Sequence, residues 1–116
     1  MSETASCLFC KILSGQIPAK AAYQDDTVFG FHDIHPQAPV HILLIPRKHF
    51  ASASEATAED EKVLGHMHRV AAQLARELKL ESGHRVVMNT GPDAGQSVFH
   101  AHLHLLGGRA MAWPPG

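Results

Sequence analysis

Most of what would announce a specialised class is scarce in this chain. There are two cysteines, one tryptophan and one tyrosine in 116 residues. In a cytoplasmic chain two cysteines spaced as in Cys7-Leu8-Phe9-Cys10 favour a metal or redox site over a structural disulfide. Charge is balanced, with ten Lys and Arg against eleven Asp and Glu and a net charge of -1 with histidine neutral. That excludes the positive field by which a domain grips polymeric nucleic acid, so any anionic ligand must be held by local groups. No apolar run approaches the ~20 residues that span a bilayer. No basic segment followed by an apolar stretch occupies Met1 to Cys10, so a cytoplasmic protein without membrane attachment is expected. Repeats, low-complexity tracts and linkers are missing too. With 45% hydrophobic residues, the expectation is one domain over 1–116 with one core.

What the chain has is histidine, ten copies of it. At near-zero net charge such a surplus points to metal ligation or acid–base chemistry. Around these residues the pattern reads as strands, one long helix, then strands. One helical turn is expected at Lys11 to Leu13, stopped by Ser14-Gly15 and Pro18. Ala22 to Gln24 and Val28 to Asp33 read as a hairpin around Asp25-Asp26, and His41 to Ile45 as a strand ended by Pro46. Thr57 caps the helix, Glu59, Asp60 and Glu61 suit its first turn, and Gly83 stops it after Leu80. Its apolar stripe is Val63, Leu64, Met67, Val70, Ala71, Leu74 and Leu78. His66 and His68 lie off that stripe and read as solvated. Arg85 to Asn89 and His100 to Leu106 complete the strands. The fold class is therefore α+β, an antiparallel sheet of about five strands with one long helix.

His100-Ala101-His102-Leu103-His104-Leu105 is the most informative segment. Strand alternation sends Ala101, Leu103 and Leu105 into a core and lines the three histidines along the other face, roughly 7 Å apart. A solvated His-rich strand or an incidental metal site would read the same. Just upstream, Asn89-Thr90-Gly91-Pro92-Asp93-Ala94-Gly95-Gln96-Ser97 is a Gly-rich loop whose backbone N–H groups can approach phosphate oxygens. It lacks the Lys-Ser/Thr ending of a Walker A loop.

Gly95-Gln96-Ser97-Val98-Phe99-His100-Ala101-His102-Leu103-His104-Leu105-Leu106-Gly107-Gly108 resembles the signature of the histidine triad (HIT) family. Phe31-His32-Asp33-Ile34, Pro36-Gln37-Ala38-Pro39, His41, Ile45-Pro46 and Trp113-Pro114-Pro115-Gly116 resemble its Hint branch, the purine nucleoside phosphoramidases. The resemblance covers essentially the whole chain.

It implies that His102 attacks phosphorus and forms a nucleotidyl-histidine, which water then hydrolyses. His104 would contact the α-phosphate, His41 would hold the triad, and Ser97 would donate toward the leaving amine. The nucleotide would be bound by Asp33 through the ribose hydroxyls, by Ile34 against the base, and by His32, Asn89, Gly95, Gln96, Ser97, Val98, His102, His104 and Trp113. Phe9 reads as base contact or core, and Lys11 as a solvated cation. His35 stands where the branch usually has a small Ser, at the lip of the nucleoside site. By resemblance, Cys7 and Cys10 would join His49 and His100 in a structural zinc site that catalysis does not require. A redox dithiol or two unligated cysteines are the other readings. His100 would then be structural rather than part of the attack. A homodimer is implied, with the tail 107–116 reaching toward the partner's site. The alternatives are a dinucleoside polyphosphate hydrolase of another triad branch and a nucleotide-binding scaffold without turnover.

Overall fold

The computed structural model of the chain describes residues 3–116. Two short helices, α1 (Glu3–Ser6) and α2 (Leu8–Leu13), precede strands β1 (Ala21–Gln24), β2 (Val28–His32) and β3 (Val40–Pro46). Helix α3 (Glu61–Glu77) follows, then β4 (His84–Val87) and β5 (Leu103–Gly107). All pairings are antiparallel, in the order β1-β2-β3-β5-β4. The expected α+β architecture, five strands and one long helix, is what the chain adopts.

The sheet separates two apolar layers, with β3 at its centre. Ile42 and Leu44 pack with Met67, Val70, Ala71, Leu74 and Ala75 of α3. Leu43 and Ile45 point to the opposite face and meet Phe31, Phe9 and Cys7. Both faces of β3 are covered, which is why its sequence is an unbroken apolar run rather than an alternation. The β1–β2 turn is built by Asp25, whose Oδ1 accepts the N–H groups of Thr27 and Val28 at 2.9 and 2.8 Å.

Several boundaries differ from the expectation, each for a local reason. Thr57 does not open α3 directly. A 3-10 turn at Ala58–Asp60 intervenes, and Asp60 accepts Thr57 N–H at 2.8 Å and Lys48 Nζ at 2.8 Å. The helix stops at Lys79, not at Gly83. Lys79 has φ 60°, its N–H donates to Arg76 O, and Leu80 N–H donates to Ala75 O at 2.9 Å. This Schellman closure drops Leu80 onto the core, and the apolar anchor lets a lysine hold a left-handed position. Leu78, counted in the stripe, is exposed, and Ala75 takes its place. His66 is not simply solvated: it bonds Asp25 Oδ2 at 2.7 Å and ties α3 to the β1–β2 turn.

The last strand starts at Leu103, three residues later than expected. Its first pair with β3 is Leu44↔Leu103, so continuing that register would set Ala101 against Pro46. Proline has no N–H to donate, and Ala101 N–H turns instead to Phe50 O at 2.8 Å. The segment 100–102 therefore leaves the ladder. Strand β4 also ends early, at Val87, with Asn89 in the loop beyond it. Among the described residues, no helix is long and apolar enough to cross a membrane.

Candidate active site

The histidines sort themselves by which neighbour can only donate and which can only accept. Pro46 O can only accept, and His100 Nε2 lies 2.7 Å from it. His100 therefore carries its proton on Nε2, and its Nδ1 presents a lone pair. The carbonyl of His100 in turn lies 2.8 Å from His102 Nδ1. That places the His102 proton on Nδ1 and leaves Nε2 with a free electron pair.

A second chain of bonds starts from the backbone of Gln37. Its N–H donates to His41 Nδ1 at 3.0 Å, so neutral His41 holds its proton on Nε2. His41 Nε2 donates to His104 Nδ1 at 2.9 Å. His104 must then carry its own proton on Nε2. The result is a nucleophilic nitrogen on His102 and a donor N–H on His104, in rings whose centroids are 5.0 Å apart. The rings converge rather than forming the evenly spaced row that an ideal strand would give, because His102 lies outside β5.

Burial keeps these rings neutral. It pushes His104 down to about 4, helped by the nearby His102 and His41. It also lowers His102, against the pull of the His100 carbonyl bond and the Asp33 charge. His41 is lowered by burial and partly restored by Asp33, whose Oδ2 lies 3.5 Å from His41 Nε2.

Asp33, His41 and His104 also place ligand-type atoms within 4.8 Å of one another. The Gln37 bond disqualifies them as a metal site. A cation on His41 Nε2 would force the proton to Nδ1, where the Gln37 N–H already points. This trio is joined by hydrogen-bonded protons instead.

The other cluster is the opposite case. Sγ of Cys7 and Cys10 and Nδ1 of His49 and His100 also lie within 4.8 Å of one another. The edges are 3.5 Å for Cys7–His100, 3.6 Å for Cys10–His100, 3.4 Å for Cys10–His49 and 3.2 Å for His49–His100. Tetrahedral zinc with ordinary bond lengths requires N–N edges of about 3.3 Å and S–N edges of about 3.6 Å. The donor set fits. The Pro46 carbonyl on His100 Nε2–H is the kind of outer partner that orients a ligating imidazole. Burial pushes the Cys10 thiol up to about 11, with further contributions from the Cys7 hydrogen bond and charge, so a bound cation must displace its proton.

Sequence and relatives agree with this geometry. The HIT domain profile matches residues 14–111. The chain belongs to the HIT family. A HIT-like protein of Synechococcus elongatus is 50% identical over the whole of both chains. A 14 kDa zinc-binding protein of Zea mays is 48% identical, covering 98% of this chain and 91% of its own. Among solved structures, a HIT family hydrolase from Legionella pneumophila has a TM-score of 0.93 at 47% identity, covering 96% of this chain and all of that one. A histidine triad nucleotide-binding protein from Candida albicans has a TM-score of 0.81 at 33% identity, covering 94% and 83%.

The remaining candidate residues of this HIT domain are distributed around the two histidine chains. His32 ends β2, half-buried, and pairs with Ile42. Asp33 follows, its Oδ1 accepting His35 N–H at 2.7 Å while Oδ2 faces His41. Ile34 and Trp113 are wide open, at 86% and 81% exposure. The loop before the triad turns through Gly91 and Gly95, at φ 87° and 98°, conformations that a side chain would strain. Asn89 lies against Gly95.

Gln96, expected as a ligand contact, has its side chain buried in the loop itself. Its Oε1 accepts Gly91 N–H and its Nε2 donates to Ala51 O and Val98 O, so its side chain closes the loop. That leaves the amides of Ser97 and Val98 with no acceptor among the described residues. Sequence reasoning missed Gln37, whose contribution is a backbone N–H and leaves no residue-type signal. It also missed the contact of Phe9 with His102, at 5.1 Å between ring centroids.

Proposed function

We propose that the chain is a nucleotide phosphoramidate hydrolase acting through a nucleotidyl-histidine. The observation that carries this reading is the tautomer of His102, whose Nε2 lone pair is left free to attack because the proton sits on Nδ1, bonded to His100 O. Neutral imidazole needs no base to become a nucleophile. His102 Nε2 attacks phosphorus, the P–N bond breaks, and the amine leaves with a proton supplied through Ser97. His104 Nε2–H donates to a phosphate oxygen as charge builds on it. Water then cleaves the His102–phosphorus bond, its hydroxyl going to phosphorus and its proton back to Ser97, which restores the neutral ring and the donor. The free amides of Ser97 and Val98 suit phosphate oxygens in a site with no Lys or Arg of its own.

The nucleoside sits on the side of Asp33, with Oδ2 accepting from ribose, Ile34 against a purine base, and His32, Asn89, Gly95 and Trp113 around it. Cys7, Cys10, His49 and His100 hold a structural zinc, which supplies a cross-link between α2, the loop after β3 and the triad segment. The zinc-binding protein of Zea mays and the Legionella pneumophila hydrolase support the two halves of this reading. β4 is a free sheet edge, and Arg85 Nη2 holds Ala112 O at 2.8 Å, keeping the tail beside that edge. A homodimer joined there would carry the tail toward the partner's site.

The test is pre-steady-state turnover of an adenosine phosphoramidate by wild type and His102→Ala, with a diadenosine polyphosphate in parallel. A burst matching one nucleotidyl-histidine per site is expected in wild type and absent from the variant. Full turnover by His102→Ala, or faster cleavage of the polyphosphate, would refute the assignment.

A further inference from the structure

His100 takes part in two sets of contacts at once. Its ring faces both sulfurs and His49, while its backbone carbonyl accepts His102 Nδ1–H. Phe9 shows the same duality. It lies in α2 between Cys7 and Cys10, fully in the core, and Cys7 Sγ accepts Cys10 N–H at 3.4 Å across that turn. Its ring meets His102 edge-to-face at 5.1 Å and 86°, meets His100 at 6.0 Å and 64°, and is braced by Phe31 at 5.5 Å. Helix α2 has six residues, far too few to be stable alone. Its place on the sheet depends on what tethers it, and the four-residue cluster does so at both ends of the turn that carries Phe9.

We propose that Phe9 is a positioning group through which assembly of the Cys7–Cys10–His49–His100 cluster holds the His102 ring in its attacking orientation. The hydrogen bond sets the tautomer and the Phe9 edge blocks the ring flip that would exchange its two nitrogens. When the cluster comes apart, α2 and the 100–102 segment are freed together. Nucleotide affinity, built from Asp33, His104 and the Ser97 and Val98 amides rather than from the His102 lone pair, stays. The inference rests on the nucleotidyl-transfer reading for its kinetic consequence, but not for its structural one.

The experiment compares wild type, Phe9→Leu, Phe9→Ala, Cys10→Ser, the double variant Phe9→Ala/Cys10→Ser, and wild type stripped by a chelator. Four quantities are read: zinc content, AMP affinity by calorimetry, the single-turnover rate of His102 nucleotidylation, and the His102 tautomer by long-range proton–nitrogen NMR. Phe9→Ala is expected to keep its zinc and to bind AMP within about twofold of wild type. Its nucleotidylation slows roughly 10- to 100-fold, with both tautomers visible. Phe9→Leu recovers part of the rate. The metal-free proteins show the same loss, and the double variant is no slower than the slower single change. Leu74→Ala, in the layer across the sheet, lowers thermal stability but keeps the single tautomer.

A wild-type rate with a single Nδ1–H tautomer in Phe9→Ala or in stripped protein would overturn the proposal, as would losses that multiply in the double variant. If Cys10→Ser does not fold, the stripped protein and the Phe9 variants decide. The tautomer signal needs no substrate, so it judges this inference even if wild type forms no nucleotidyl-histidine, an outcome that sinks the functional reading instead.

Discussion

Replacing His41 by Phe tests the tautomer chain where it is most exposed to disproof. His41 is buried and donates Nε2–H to His104 Nδ1 at 2.9 Å, and its own proton is placed by Gln37 N–H. Phenylalanine keeps the bulk and removes both bonds. His104 Nδ1 then becomes a buried acceptor without a partner, which costs about 1–3 kcal/mol in the folded protein. His104 relieves this by shifting its proton to Nδ1, where the Asp33 carboxylate, within 4.8 Å, is the acceptor in reach, and its Nε2 then turns a lone pair toward the phosphate oxygen. Loss of one preorganised donor to a developing anion costs about 10²- to 10³-fold in kcat. The damage is carried entirely through His104, so His104→Phe should lose as much and the double variant no more than either. Steady-state kinetics on an adenosine phosphoramidate measures this, with AMP affinity as the control for binding. A His41→Phe enzyme within about threefold of wild-type kcat, or a double variant whose loss is the product of the singles, refutes the chain.

Burial holds His41, His102 and His104 below the ordinary imidazole value, so each stays neutral as the pH falls through about 6.5. The acid limb of kcat/KM should therefore have its midpoint below pH 6.5, and a midpoint at or above it would contradict the burial. Burial would raise the Asp25 carboxyl, but hydrogen bonds from Tyr23, His66 and the amides of Thr27 and Val28 outweigh it and hold it well below the usual range. The unfolded chain takes up that proton first, so the stabilisation is complete above about pH 5 and fades as the pH drops further. Asp25→Asn should cost about 1–3 kcal/mol at neutral pH and flatten this acid dependence, both measurable by urea unfolding. Chelation should release about one zinc per chain and lower the melting temperature, and re-addition should release protons, since the Cys10 thiol is protonated without the cation. An unchanged melting temperature would leave Cys7 and Cys10 without a structural role.

Much of this was legible because side-chain type carried it. The α3 stripe, the apolar β3 and the order of elements follow from periodicity, and the triad and the C-x-x-C pair from spacing and family resemblance. What escaped was carried by backbone. The start of β5 depends on a missing N–H at Pro46, on a different strand. The helix stop depends on Leu80 reaching the core, which lets Lys79 take a position usually left to glycine. Gln37 acts through an amide that any non-proline residue would supply. His66 was misread for the related reason that an imidazole does not announce its partner.

The late start of β5 has a consequence for which changes this chain can take. Within a ladder, the His100 carbonyl would answer to a neighbouring strand. Outside it, that oxygen is at liberty to face His102. On the proposed reading, sheet length bears on catalysis, and a change that extends β5 back to His100 would leave every histidine in place and still turn that carbonyl away from His102. Pro46 acts as a punctuation mark, and a residue with an N–H at that position would restore the partner that Ala101 lacks on β3.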